Sequence, residues 1–319
     1  MEVVLGLIGG VVLFLYAISK LSSSIREWAD DRMKDFVARF TRNILTAIIT
    51  GIVATVVLKS SSAAIIITIV LVGAGLITFR QSMGIVLGAN IGTTISSQII
   101  AFDVAQFAPI ALAVGFATFL IFQRPMIARA GTLLFYFGMM FFGLHVMELA
   151  VEPLKTHAYF KELILSFEDP IRGALAGAGI SAVIQSSSAT VALAITLAKQ
   201  SLITLPAAIA VMLGAELGTC ADTLLATVRS TRPALKTGLF HFAFNLVSVI
   251  VGLLLFGSLV SIVEFASFGA DIKRQIANAH LMFNLIGVAA CAFLIPTAER
   301  LLNFMIPDEA PVLAEPQQA

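Results

Sequence analysis

Charge is scarce in this chain. Asp, Glu, Lys and Arg make up 12% of 319 residues, while apolar residues reach 59%. A soluble domain carries about 25% charged residues, so the shortage excludes that class and leaves a polytopic, all-α membrane protein. A formal net charge of +1 offers no basic surface to a nucleic acid. Cysteine is nearly absent as well: Cys220 and Cys291 both sit in apolar segments and provide neither a disulfide framework nor metal-ligand spacing. There is no G-x-S-x-G elbow, and the four histidines lack a triad context, which speaks against an intramembrane serine enzyme. Met1-Glu2 leads straight into an apolar run without the basic region of a cleavable signal peptide, so the run reads as a first transmembrane helix.

Apolar stretches of bilayer length, ~17–25 residues, occupy about 3–19, 82–103, 105–123, 130–150, 204–228, 238–262 and 275–297. Two further regions, 44–79 and 171–203, each consist of two apolar arms meeting at a triple serine. Arms of ~15 residues rise only ~22 Å as helix, short of the ~30 Å hydrocarbon core, so re-entrant hairpins are expected. Lys20, Arg26, Arg80, Arg124, Arg129 and Lys236 gather on one side of this layout. By the positive-inside rule that side is the cytoplasm, with the N-terminus outside and the C-terminus inside a plasma (inner) membrane. Residues 20–43 mix both charges and read as an amphipathic surface segment, with 152–170 its more acidic counterpart outside.

The chain repeats itself. Lys59-Ser60-Ser61-Ser62-Ala63 returns 126 positions later as Gln185-Ser186-Ser187-Ser188-Ala189, and Gly88-Ala89-Asn90-Ile91-Gly92-Thr93-Thr94 returns at the same offset as Gly214-Ala215-Glu216-Leu217-Gly218-Thr219-Cys220. An odd number of spans separates equivalent points, so the copies are expected to be inverted in the membrane with their serine tips near the midplane. The division that follows is repeat 1 at 1–126 (hairpin 44–79, broken helix 82–103), repeat 2 at 127–237 (hairpin 171–203, broken helix 204–228), C-terminal helices at 238–297 and a cytoplasmic tail at 298–319.

The Q-S-S-S-A-T at Gln185–Thr190, the G-A-N-I-G-T-T at Gly88–Thr94 and their duplication resemble the sodium/phosphate cotransporter family, the type II class and its bacterial relatives. Two H-x-x-F-N segments, His241–Asn245 and His280–Asn284, extend the resemblance over about 5–295. It implies secondary-active transport of inorganic phosphate, a central site shared by two inverted repeats, Na⁺ as coupling ion with no other cofactor, and by analogy a homodimer. The chemistry agrees with this. Serine hydroxyls are small rotatable donors, and a new helix starting at each triple serine offers unpaired N–H groups to an oxyanion. The candidate phosphate ligands are therefore Ser60, Ser61, Ser62, Ser186, Ser187 and Ser188, with Lys59. Unwinding at Gly88/Gly92 and Gly214/Gly218 is expected to expose oxygen ligands for Na⁺, with Gln185, Asn90, Thr93, Thr94, Thr219 and Glu216 the candidates.

The two copies are not equal. Lys59 stands where the family pattern has Gln, Glu216 replaces the Asn of repeat 1, and Cys220 replaces Thr94. An ionisable group in the membrane costs at least ~2.5–3.5 kcal/mol and calls for a partner or a wet cavity. Lys59 and Glu216 are expected either to pair or to alter coupling, with the Lys59 ammonium standing in for a bound cation and reducing the Na⁺ stoichiometry, or with Glu216 carrying a coupling proton. Cys220 is expected on the substrate path. The H-x-x-F-N segments place His, Phe and Asn on one helix face and suit interhelical hydrogen bonding. A transporter or exporter of another anion or of a phosphorylated headgroup, with lipid translocation and a laterally open groove, is the competing reading.

Overall fold

The computed structural model describes residues 2–29, 43–102, 107–122, 124–153, 166–228 and 230–307. These residues are helical with no strand among them. In chain order the helices are α1 (Glu2–Ala29), α2 (Ile44–Leu58), α3 (Ser61–Gly73), α4 (Phe79–Ile100), α5 (Ala108–Ile121), α6 (Pro125–Val151), α7 (Pro170–Ile184), α8 (Ser187–Lys199), α9 (Leu205–Gly218), α10 (Cys220–Ala226), α11 (Arg232–Leu254), α12 (Phe256–Ala266) and α13 (Ile272–Met305).

Among the described residues five helical stretches are long and apolar enough to cross a membrane: Phe79–Ile100, Met126–Ala150, Leu205–Ala226, Arg232–Leu254 and Ile272–Met305. The protein is a multi-pass membrane protein. Three expected spans differ. The 105–123 run forms only the 14-residue α5, with proline in its first turn, rising ~21 Å. The 238–262 run divides at Leu255, which leaves helical geometry at φ −103° and ψ 23°. The 3–19 run is the apolar part of the longer α1. At the other end α13 continues past Pro296 to Met305, beyond the boundary at 298. Most of the surface segments at 20–43 and 152–170, and the tail beyond 307, lie outside the described residues.

The repeat is written into the helix ends. Asn43, Ser60 and Thr78 cap α2, α3 and α4; Asp169, Ser186 and Thr204, each 126 positions later, cap α7, α8 and α9. Each side chain accepts a backbone N–H from the first turn, meeting one of the donors a helix start leaves over. Lys59 and Gln185 close the preceding helices in left-handed conformation, φ 52° and 57°. Gly75 and Ser201 are a second left-handed pair at the same offset, φ 70° and 57°. Each triple serine thus interrupts two helical arms in the same way, as the sequence pattern predicts.

The glycine clusters behave differently from expectation. They pack helices, and a break appears only in the second copy, at Thr219 directly after Gly218. A Cβ on Gly88 would run into the carbonyl oxygen of Ile48 on α2, and one on Gly214 into that of Ala174 on α7. Gly51 and Gly177 answer from the other side, against Ile85 and Val211. Missing side chains let the backbones close on each other, so α2 lies tight on α4 and α7 tight on α9. The broken helix expected at 82–103 is therefore an uninterrupted α4. In the second copy the only interruption is Thr219, at φ −67° and ψ −14°, between α9 and α10.

Around these two pairs, α1 and α5 pack on α6 through Gly10, Gly143, Gly115 and Gly131. α13 lies along α4, and α11 touches α3, α4, α9 and α10.

Candidate functional site

At the first break the Ser60 hydroxyl accepts from Ala63 N (3.1 Å); at the second the Ser186 hydroxyl accepts from Ala189 N (3.2 Å). The caps leave the N–H groups of Ser61, Ser62, Ser187 and Ser188 in the first turns of α3 and α8, where an intrahelical acceptor is missing by construction. Lys59 and Gln185 sit at the preceding turns, half-buried and exposed respectively. α10 joins the two breaks, packing on α3 of the first and on α7 of the second. Its Asp222 carboxylate lies beside the Ser62 hydroxyl.

The candidate cation ligands other than Gln185 lie deeper. Thr93 donates to Ala89 O (3.0 Å), Thr94 to Ile91 O (2.7 Å), and Asn90 Nδ2 to Val86 O (2.9 Å). Thr219 Oγ1 lies 3.3 Å from both Ala215 O and Glu216 O. These donors are turned back onto their own helices. Oxygen lone pairs are what remains available to a ligand.

Glu216 does not pair with Lys59. Its Oε1 lies 2.9 Å from His280 Nε2, and His280 Nδ1 lies 2.7 Å from Ser97 Oγ on α4. All three side chains are buried. A neutral imidazole protonated at Nε2 satisfies both contacts, donating to the carboxylate and accepting the serine proton. Lys59 forms no hydrogen bond or ion pair with the described residues.

His241 makes the matching contact in the second copy. Its Nδ1 lies 2.9 Å from Thr223 Oγ1, and its Nε2 lies 3.9 Å from Cys220 Sγ. Asn245 Nδ2 donates to the same sulfur at 3.3 Å. The H-x-x-F-N segments thus hydrogen-bond across helices. Cys220 is 1% exposed, packed between α9, α11 and its own helix, and does not lie open on a water path as expected.

Ser97, Thr223 and Asp222 were not singled out by sequence. Asp222 carries the same signal as Glu216, an acidic group in an apolar run. Ser97 and Thr223 carry none beyond their shared offset.

An apolar cavity of about 650 Å³ lies between α11, α12 and α13, lined by residues such as Phe244, Val251, Leu255, Phe283 and Leu294. No residue of either serine break lines it.

A sequence family described as Na+/Pi-cotransporter matches residues 13–149 and again 155–293. Among curated relatives, "Uncharacterized protein YqeW" of Bacillus subtilis is 28% identical over 93% of this chain and 96% of its own length. "Putative inorganic phosphate export protein YjbB" of Salmonella typhimurium is 24% identical over 95% of this chain, which spans only 55% of that relative. The human "Sodium-dependent phosphate transport protein 2B" is 31% identical over 97 residues, 30% of this chain and 14% of that protein. No solved structure matches.

Proposed function

Because the chain belongs to the Na+/Pi-cotransporter family, we propose that it carries inorganic phosphate across the plasma (inner) membrane as a secondary-active transporter. The observation that carries this reading is the doubled break. Two helices of opposite copies start at capped serines with unpaired first-turn amides, one preceded by Lys59. Such helix starts suit an oxyanion held by hydroxyls, amide N–H groups and positive helix ends. In this reading the copies are inverted, the arms at 44–79 and 171–203 are re-entrant, and Ser60–Ser62, Ser186–Ser188 and Lys59 receive the phosphate from two sides.

Na⁺ is the coupling ion in the proposal, with oxygens of Gln185, Asn90, Thr93, Thr94, Thr219 and Glu216 as its ligands. Lys59 adds fixed positive charge at the first tip and lowers the number of ions needed. Relatives named for phosphate export make outward transport one outcome of the test. No observation favours a lipid headgroup: the apolar cavity does not reach the serine breaks. A serine enzyme also gains nothing. The Ser97–His280–Glu216 chain resembles a triad in composition, but it is buried and joined through the opposite imidazole nitrogens.

Purified protein in liposomes tests the proposal. Radiolabelled phosphate should accumulate, or leave preloaded vesicles, when a Na⁺ gradient is imposed. Phosphate flux equal to that of empty liposomes under Na⁺ and pH gradients would sink it.

A further inference from the structure

The first serine break holds a group that an oxyanion site should avoid. Asp222 on α10 lies beside the hydroxyl of Ser62, in the first turn of α3, and α10 packs on α3. Its Oδ1 accepts the N–H of Thr223 at 2.6 Å, which ties one carboxylate oxygen to its own helix. The side chain is half-buried, and no Lys or Arg among the described residues pairs with it. Lys59, at the same break, forms no ion pair with it either. The first copy has Ser96 at the equivalent position, on the α4 helix that packs on α8 of the second break. The carboxylate is thus a feature of one copy alone.

A carboxylate accepts hydrogen bonds and donates none, whereas serine hydroxyls, an ammonium and first-turn amides all donate. The break therefore offers one acceptor-only group among donors. A fully deprotonated oxyanion brings acceptors alone, so beside Asp222 it would set acceptor against acceptor and add like-charge repulsion. An oxyanion that keeps a proton reverses this. Its hydroxyl donates to the carboxylate in a charge-assisted bond, and its other oxygens accept from serines and amides. Inorganic phosphate keeps at least one proton near neutral pH. Sulfate, with nearly the same size and shape, keeps none.

We propose that Asp222 is a specificity-determining residue, whose carboxylate accepts the hydroxyl of a protonated oxyanion at the first break and thereby excludes sulfate. The place of the anion rests on the transport reading above. Like charge weakens the hold on phosphate, and it weakens the hold on a proton-free dianion by far more. Discrimination then comes from a repulsive element built into the site, at some loss of affinity for the accepted ligand. Arsenate, which also keeps a proton, should be accepted with phosphate.

Equilibrium binding of radiolabelled phosphate to the full-length protein in detergent tests this, with unlabelled arsenate and sulfate as competitors. At about pH 8 phosphate and sulfate both carry about two negative charges, so charge alone does not separate them. Arsenate should displace the label from wild type at concentrations close to those of unlabelled phosphate, whereas sulfate should need a roughly hundredfold or greater excess. In Asp222→Asn, whose amide nitrogen donates to an oxyanion, sulfate should compete within roughly tenfold of phosphate. Asp222→Glu keeps the carboxylate and should discriminate more strongly than Asp222→Asn. Sulfate competing on equal terms in wild type overturns the proposal alone, whether or not a variant folds. Sulfate rejected as strongly by Asp222→Asn as by wild type overturns it too, since the serines then select. No phosphate binding by wild type removes the transport reading and this proposal together.

Discussion

Ser97 and Thr223 occupy equivalent positions in the two copies, and each meets the Nδ1 of a different histidine. Ser97 lies 2.7 Å from His280, and Thr223 lies 2.9 Å from His241. The C-terminal helices α11 and α13 thus serve the two copies in the same manner. The asymmetry enters at the other ring nitrogen, which finds a carboxylate in one case and a thiol in the other.

Truncation of His280 exposes the cost of that asymmetry. His280→Ala leaves Glu216 buried without its partner and should lower unfolding free energy by about 3 kcal/mol. Adding Glu216→Ala should recover part of the loss. Denaturant unfolding of both single variants and the double variant checks this, and a double-variant loss equal to the sum of the two single losses would mean the pair is not coupled.

Lys59 combines a left-handed backbone with a charge, and two substitutions separate them. Lys59→Gly suits φ 52° and should keep or raise stability by about 1 kcal/mol. Lys59→Gln keeps the strain. Both should weaken phosphate binding several-fold, measured as the half-saturating concentration for uptake. Affinity lost only in the glycine variant would assign the effect to the backbone.

Close packing predicts sharp sensitivity at Gly214. Gly214→Ala drives a methyl into the Ala174 carbonyl and should cost about 1–3 kcal/mol or more. Gly257→Ala is the control: nothing lies within 4 Å, and it should be neutral or mildly stabilising. Melting temperatures of the two variants should move apart.

Cys220 should resist a membrane-permeant maleimide in the folded protein and react once it is unfolded, read by intact mass. Rapid labelling of the folded form at Cys220 would show that the α9–α10 junction opens to solvent.

Asp222 presents a carboxylate to Ser62. Asp222→Asn should tighten phosphate binding roughly tenfold, a small part of what a like-charge contact costs. Isotopic phosphate binding to purified protein measures it.

The serine breaks were legible because each depends on local chemistry. A serine that starts a helix needs only its own first turn, and the 126-residue offset carried the same reading to the second copy. The glycine clusters misled because Gly in a membrane helix serves either a break or a close approach. Ile48 and Ala174, the residues that decide between the two, lie on other helices. Glu216 was legible as an anomaly, but not its partner, since His280 lies far along the chain. Cys220 looked accessible from its motif neighbours, and only the packing of α11 buries it.

The fit of α2 into α4 and of α7 into α9 has a mechanical consequence. Backbones in direct contact cannot slide without collision, so each pair moves as one plate. The first arm of each serine hairpin is bolted to a long helix, and each tip travels with its plate. Any hinge that opens a path to the serines must then lie between plates, or between a plate and the α1–α5–α6 bundle. The junction at Thr219, where α9 gives way to α10, joins the second plate to the short helix that packs on α3.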